Sequence, residues 1–136
     1  MTNQPYDPAR YRTTATALTP SQERTWGSLS HLIPAVATVC SAGTLGFVAS
    51  LVIYLAYKDR GPFVRTAAAN SLNVQIATLI VLVLTSWIWF PLMFVGIGFL
   101  IYGAIFAVAV VIHAIGALRA REGQWYNPPF TPRFVK

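Results

Sequence analysis

Charged residues are scarce in this sequence. Only 10% of its 136 residues are charged, whereas soluble domains usually carry about a quarter. At the same time 55% of the residues are hydrophobic, so most of the chain cannot form a surface that faces water. The length is typical of one domain. The sequence therefore predicts a small integral membrane protein and excludes a water-soluble domain.

Acidic residues are the rarest of the charged ones. The four are Asp7, Glu23, Asp59 and Glu122, and all lie outside the apolar runs. An intramembrane hydrolase or a proton-coupled carrier usually needs an ionisable group at depth. The sequence also lacks a Gly-x-Ser-x-Gly motif, a Walker loop and a Gly-rich dinucleotide motif. We therefore expect no enzyme activity, no catalytic residues and no bound cofactor.

Cysteine occurs once, as Cys40. An internal disulfide and a cysteine-based metal site are therefore excluded, and Cys40 is predicted to be a small apolar packing residue. The two histidines, His31 and His113, are predicted at comparable depths on one side of the membrane. With no carboxylate or cysteine placed to join them, we predict hydrogen bonding between helices and no metal site.

The ten basic residues form three clusters that flank the apolar runs. This arrangement is typical of a membrane face, and it argues against nucleic acid as a partner. If every cluster is cytoplasmic, the apolar segment 26–57 must enter the membrane and return. Three full spans would instead leave the first cluster outside. The clusters are Arg10, Arg12 and Arg24; Lys58, Arg60 and Arg65; and Arg119, Arg121, Arg133 and Lys136.

These charges favour an all-α integral membrane protein, a compact bundle of four membrane helices in which the first two are short and form a hairpin. The predicted location is the cell membrane, multi-pass, with both termini cytoplasmic. Three spans remain the alternative. We divide the chain into a flexible polar tail (1–18), a helical membrane domain (19–122) and an extended interfacial tail rich in aromatic residues and proline (123–136).

Local signals set the predicted ends of the first two helices. Thr19 and Gln22 form a capping-box pattern around Pro20. A turn at 41–44 gives two short helices, about 26–40 and 45–57. In the alternative, one continuous helix presents a stripe of small residues for packing. A helix of about 15 residues reaches only about 22 Å, against a hydrocarbon core of about 30 Å. Such a pair would tilt little, thin the bilayer or form a shallow re-entrant unit.

The remaining apolar residues form two longer runs. The first extends from Leu72 to Leu92 and ends in two tryptophans before Pro91, a pattern typical of a membrane interface and a helix stop. The second covers about Leu92–Leu118 and ends in basic residues followed by Gly123.

Three groups of residues are candidates for interaction. The amides Asn70, Asn73 and Gln75 could form a polar face at the start of a helix that binds a substrate or partner, although bonds across helices explain them more simply. A basic cytoplasmic collar consists of Lys58, Arg60, Arg65, Arg119 and Arg121. A candidate interfacial tail contains Trp125, Tyr126, Phe130, Arg133 and Phe134.

Several short motifs resemble those of one protein family. They are Ser30–Pro34, Lys58-Asp59 with Pro62–Arg65, Ser71–Ile76, and a closing pattern from Gly123 to Phe134. Together they resemble a bacterial family of small membrane proteins of unknown function that is related to the Tic-twenty subunit of the chloroplast import translocon. The resemblance covers about residues 22–136. It implies a compact module with four membrane segments and no established activity. Ala67 departs from the pattern, because relatives often have histidine there.

Our first functional hypothesis is a non-enzymatic interaction, accessory-subunit or assembly module of a larger membrane complex. Its expected partners are the lipid bilayer and a membrane protein or a second copy of the chain, with anionic lipid at the basic face. The alternative is a small channel or translocation component whose passage is lined by Asn70, Asn73 and Gln75.

Overall fold

The computed structural model describes residues 17–136, so most of the predicted polar tail (1–18) lies outside the described residues. Within this range the fold is all-helical, and the prediction of four helices with a break in the first apolar segment is confirmed. The helices are α1 (Pro20–Cys40), α2 (Thr44–Tyr57), α3 (Pro62–Leu92) and α4 (Ile97–Arg121), with a short 3₁₀ turn at Met93–Val95 between α3 and α4.

The predicted capping box begins α1. The Gln22 amide donates to the Thr19 hydroxyl oxygen at 3.3 Å, and the Thr19 amide donates to Gln22 Oε1 at 2.9 Å. The predicted helix start at Thr19 and Pro20 is therefore confirmed, and the short helix predicted at about 26–40 forms the later part of α1. It ends at Cys40, where the chain reverses through Ala42 and Gly43, both with positive φ. The continuous-helix alternative is wrong for this segment. Cys40 is exposed on this reversal, so its predicted packing role is also wrong.

A carboxylate from α1 caps α3. Glu23 Oε2 accepts the amide of Phe63 at 2.8 Å and that of Val64 at 3.1 Å. The first amides of a helix have no partners within it, and negative charge is favourable at that end. Because Gly61 lacks a side chain, the carboxylate can lie directly against the α2–α3 loop. The sequence showed Glu23 only as an acid outside the apolar runs, and the structure buries it.

The last two helices form a long hairpin. Helix α3 runs through Pro91 to Leu92, one residue past the predicted stop, and the chain turns at Gly96 with φ of 84°. The segments Pro62–Val95 and Ile97–Arg121 are long and apolar enough to cross a membrane by length and composition, while Thr44–Tyr57 is apolar but shorter.

The bundle has two regions that differ in how far their side chains are buried. All the buried residues of α3 lie between Phe63 and Gln75, where α3 packs on the other three helices. We call this region the basal bundle. We define the distal hairpin as residues 79–104, the outer parts of α3 and α4, in which most large apolar side chains are exposed and the Tyr102 hydroxyl donates to the Ala42 carbonyl. The basal bundle contains almost all of the core.

Candidate functional site

Four buried polar side chains form a hydrogen-bonded line across the basal bundle. Gln75 Nε2 donates to Thr38 Oγ1 at 3.0 Å and lies 2.9 Å from His113 Nε2. His113 Nδ1 lies 3.2 Å from His31 Nδ1. The line joins α1, α3 and α4, and we call it the polar seam. The prediction of a histidine hydrogen-bonded between helices is confirmed, and the two histidines bond to each other.

The bonds determine which ring nitrogens carry protons. An amide nitrogen can only donate, so His113 Nε2 accepts from Gln75. His113 then carries its proton on Nδ1 and donates to His31 Nδ1, which leaves the His31 proton on Nε2. This assignment holds for the Gln75 amide in the orientation of the structure; the reversed amide exchanges donor and acceptor at every bond of the line and gives the same proton count. Each ring therefore holds one proton, and the seam is neutral.

Small residues allow the seam to form. Gly46 of α2 lies directly against the Thr38 and Gln75 side chains, and a Cβ at Gly116 of α4 would come within 2.6 Å of the His31 ring. Close helix approach at small residues is a common way to pack membrane helices. Beside the seam, the Ser50 and Ser71 hydroxyls bond at 3.1 Å and join α2 to α3.

The three predicted amides do not share one face. Gln75 points into the seam, whereas Asn70 and Asn73 bind the C-terminal tail. Asn73 Nδ2 donates to the Val135 carbonyl at 2.9 Å, and its Oδ1 accepts the Val135 amide at 2.8 Å. Asn70 Nδ2 donates to the Tyr126 carbonyl. Two of the amides therefore hold the chain's own tail, and the third stabilises the interior.

The basic collar residues lie at one end of the bundle. The Leu18 amide donates to the Arg60 carbonyl at 2.8 Å, which joins the start of α1 to the α2–α3 loop. The Arg24 side chain lies against Gly123, just after α4. Arg65 Nε donates to the Lys136 carbonyl at 3.3 Å. Lys58 and Arg60 lie in or beside the α2–α3 loop, and Arg119 and Arg121 lie in the last turn of α4.

The predicted interfacial tail is partly packed and partly exposed. Trp125 packs on Phe63 with ring centroids 5.1 Å apart, and Tyr126 lies beside His31 at 6.2 Å. Phe134 is exposed. Farther out, Arg133 donates to Asn127 Oδ1 at 3.0 Å. Phe130 is fully exposed and has a φ of 55°, in the left-handed region that is unfavourable for residues with a Cβ.

Tyr126 is the one buried side-chain donor or acceptor between residues 17 and 136 whose polar atom has no hydrogen-bond partner. Burial raises the pKa of its hydroxyl, and the charge of Arg119 partly opposes this shift. Over the same residues, no group of three histidine, cysteine or acidic side chains could hold a metal ion.

Sequence reasoning missed the partners of these groups more often than the groups themselves. In the sequence, Thr38 was only one member of the stripe of small residues in the continuous-helix alternative. Glu23 was only an acid outside the apolar runs. A buried acid is costly unless it is hydrogen-bonded. The signal for Glu23 was therefore its position one turn into α1, opposite a Gly-Pro helix start that has no capping side chain of its own.

Comparison with known proteins places residues 22–135 under the family model of the MamF/MmsF magnetosome magnetite crystal formation protein family. No curated protein and no solved structure matches the chain. The matched range is close to that of the resemblance drawn from the motifs. The comparison supports its coarser part, a family of small membrane proteins, while the relation to the Tic-twenty subunit stays a prediction.

Proposed function

Because the chain belongs to the MamF/MmsF family of magnetosome magnetite crystal formation proteins, we propose that it is a non-enzymatic accessory or assembly module of a membrane complex that takes part in crystal formation. The family and the apolar helices indicate a membrane location. The accessory or assembly role at that location is what we propose.

One observation carries the proposal: the molecule binds its polar groups internally and presents apolar groups outward. The seam side chains bond to one another, and Asn70 and Asn73 bond to the tail. Outside them, the distal hairpin exposes large apolar side chains, which in a membrane can contact lipid or the helices of another protein. An arrangement of this kind is suited to binding and positioning other components.

We further propose that the protein is multi-pass, with both termini and the basic collar on the cytoplasmic side. All the collar residues lie at one end of the bundle, which is the end that the positive-inside rule assigns to the cytoplasm. Anionic lipid headgroups would then meet Lys58, Arg60, Arg65, Arg119 and Arg121, each worth about 1 kcal/mol near the surface.

Native mass spectrometry of the full-length protein, purified from its own membranes in mild detergent, tests the accessory role. We expect a defined homo-oligomer or a partner at a fixed ratio that persists when the detergent concentration is raised. A monomer alone under every mild condition would contradict the proposal.

The small channel remains the alternative function. Its support is weaker because two of the three amides are occupied by the tail and the third lies in the seam. Liposome flux measurements distinguish the two. A channel lined by these amides should change its flux in Asn73→Leu and Gln75→Leu variants, and an accessory module should show no flux in either the variants or the parent.

A further inference from the structure

The α1–α2 hairpin is much shorter than the α3–α4 hairpin, and contacts fix how far it reaches. Gly46 of α2 lies against Gln75 of α3, and α3 continues from there to Leu92, which at 1.5 Å per residue is about 25 Å. Gly43, at the end of the short hairpin, is only three positions from Gly46, or about 5 Å. Measured along α3, the short hairpin ends about 20 Å before the long one.

Contacts with α4 give an independent measure. The Tyr102 hydroxyl donates to the Ala42 carbonyl at 2.7 Å, and the Phe106 ring lies against Gly43. From Ile97, α4 extends about 13 Å to Phe106 and about 7.5 Å to Tyr102. The measures along α3 and α4 differ, and each places the α1–α2 turn short of the far end.

Helix α4 matches the thickness of a bilayer. From Arg119 to Ile97, α4 is about 33 Å long, close to the hydrocarbon core of about 30 Å. With the basic collar at one boundary and the Met93–Val95 turn at the other, the α1–α2 turn lies near the middle of the bilayer.

The α1–α2 turn is built for an apolar environment. Its backbone groups bond within the protein: the Gly43 amide donates to the Thr38 carbonyl at 2.7 Å, the Leu45 amide to Ser41 Oγ at 2.9 Å, and the Tyr102 hydroxyl to the Ala42 carbonyl. Non-helical backbone at membrane depth requires such internal partners. The large side chains that flank the turn are apolar and exposed, with Val39 66% and Leu45 55% exposed.

We propose that the α1–α2 hairpin inserts into one leaflet only, so that the protein is a wedge that favours membranes curved convexly toward the basic collar. Four helices occupy the leaflet next to the collar and two occupy the other leaflet. The protein therefore has a larger cross-section in the collar leaflet than in the other leaflet. This shape fits best in a curved membrane whose outer, convex leaflet is the collar leaflet. The ligand of this surface is the lipid bilayer, selected by its curvature.

The inference rests on the membrane placement proposed above, and the lone cysteine provides a direct test of it. Cys40 lies at the α1–α2 turn and is exposed, so the unmodified chain can be labelled there with a small fluorophore and reconstituted into phosphatidylcholine vesicles. Quenching by lipids brominated at different chain positions then reports depth. We expect the strongest quenching of Cys40 from bromines near the bilayer centre.

Two matched variants in a Cys40→Ala background calibrate the depth scale. Phe94→Cys, at the tip of the distal hairpin, should be quenched most by bromines near the headgroups, and Lys136→Cys, in the basic end, should be reached by aqueous quencher. If Cys40 gives the same depth profile as Phe94→Cys, the wedge is overturned while the membrane placement stands. If neither site is quenched by lipid, the membrane placement itself fails, and the wedge fails with it.

Nanotubes pulled from giant vesicles test the preference for curvature. Molecules whose collar faces outward are identified by labelling Lys136→Cys with a dye that cannot cross the membrane. We expect them to be enriched in the tube relative to the parent vesicle, increasingly so as the tube narrows. Molecules with the opposite orientation should be depleted. Equal densities in tube and vesicle for both orientations would overturn the proposal.

Discussion

The two halves of α3 lie in opposite surroundings although they belong to one continuous helix. From Phe63 to Gln75 almost every residue is buried, and the buried set includes Asn70, Asn73 and Gln75. Beyond Gln75 no residue of α3 is buried, and the side chains are almost all apolar. The half that contains the buried polar side chains is inside and the half that is almost wholly apolar is outside, which differs from a soluble helix bundle and is the arrangement expected where the solvent is lipid.

This comparison shows that hydrophobicity alone does not locate the core of this protein. The basal bundle is stabilised by close packing and hydrogen bonds between helices, because lipid provides no hydrophobic driving force for helix association. The distal hairpin exposes apolar side chains, as expected of a segment whose solvent is lipid. The change in the free energy of unfolding caused by a mutation should therefore depend mainly on whether the residue lies in the basal bundle or in the distal hairpin, and only weakly on the residue type.

The largest difference is expected for the same substitution in the two halves of α3. Leu72 is 2% exposed and Leu84 is 68% exposed. Leu72→Ala leaves a cavity in the basal bundle and should lower the free energy of unfolding by about 3 kcal/mol. Leu84→Ala only exchanges contacts with lipid and should change it by less than about 0.5 kcal/mol. Reversible unfolding in mixed micelles, followed by tryptophan fluorescence, measures both. Equal losses would show that the two halves are packed alike.

A smaller difference is expected for two glycines of α4. A Cβ at Gly116 would meet the His31 ring, whereas nothing lies within 4 Å of a Cβ at Gly103. Gly116→Ala forces the seam apart and should cost about 2 kcal/mol of unfolding free energy. Gly103→Ala should cost nothing, because alanine favours the helix more than glycine does. The same unfolding assay applies, and a stable Gly116→Ala variant would mean that the seam is not closely packed.

The smallest effect is expected where the basal bundle holds the tail. Asn73→Leu removes both bonds to Val135 and should weaken tail docking by about 1.5 kcal/mol, roughly a tenfold faster amide exchange at Val135. Hydrogen exchange followed by NMR measures this rate. Ser86→Ala, in the distal hairpin, is the control and should leave it unchanged. An unaltered rate in Asn73→Leu would show that the amide does not hold the tail.

Several features of the fold could be predicted because they depend on neighbours in sequence. The capping box at Thr19 and Gln22 and the break at Ser41–Thr44 each depend on the local backbone preferences of a few consecutive residues. The long apolar runs located the last two helices but not their ends, because α3 begins at Pro62, ten residues before the predicted run from Leu72, and α4 covers Ile97–Arg121 where about Leu92–Leu118 was predicted.

The composition and local patterns of the chain thus determined that it forms four helices, that two of them are long and apolar enough to cross a membrane, and that its positive charge gathers at the helix ends. Only the tertiary structure decided which groups meet: Glu23 with the start of α3, His31 with His113, and Asn73 with Val135. Each residue turns a helix by about 100°, so small changes in rotation, tilt and register alter which side chains face one another. Those parameters are set by contacts between residues far apart in the chain, and no local pattern encodes them.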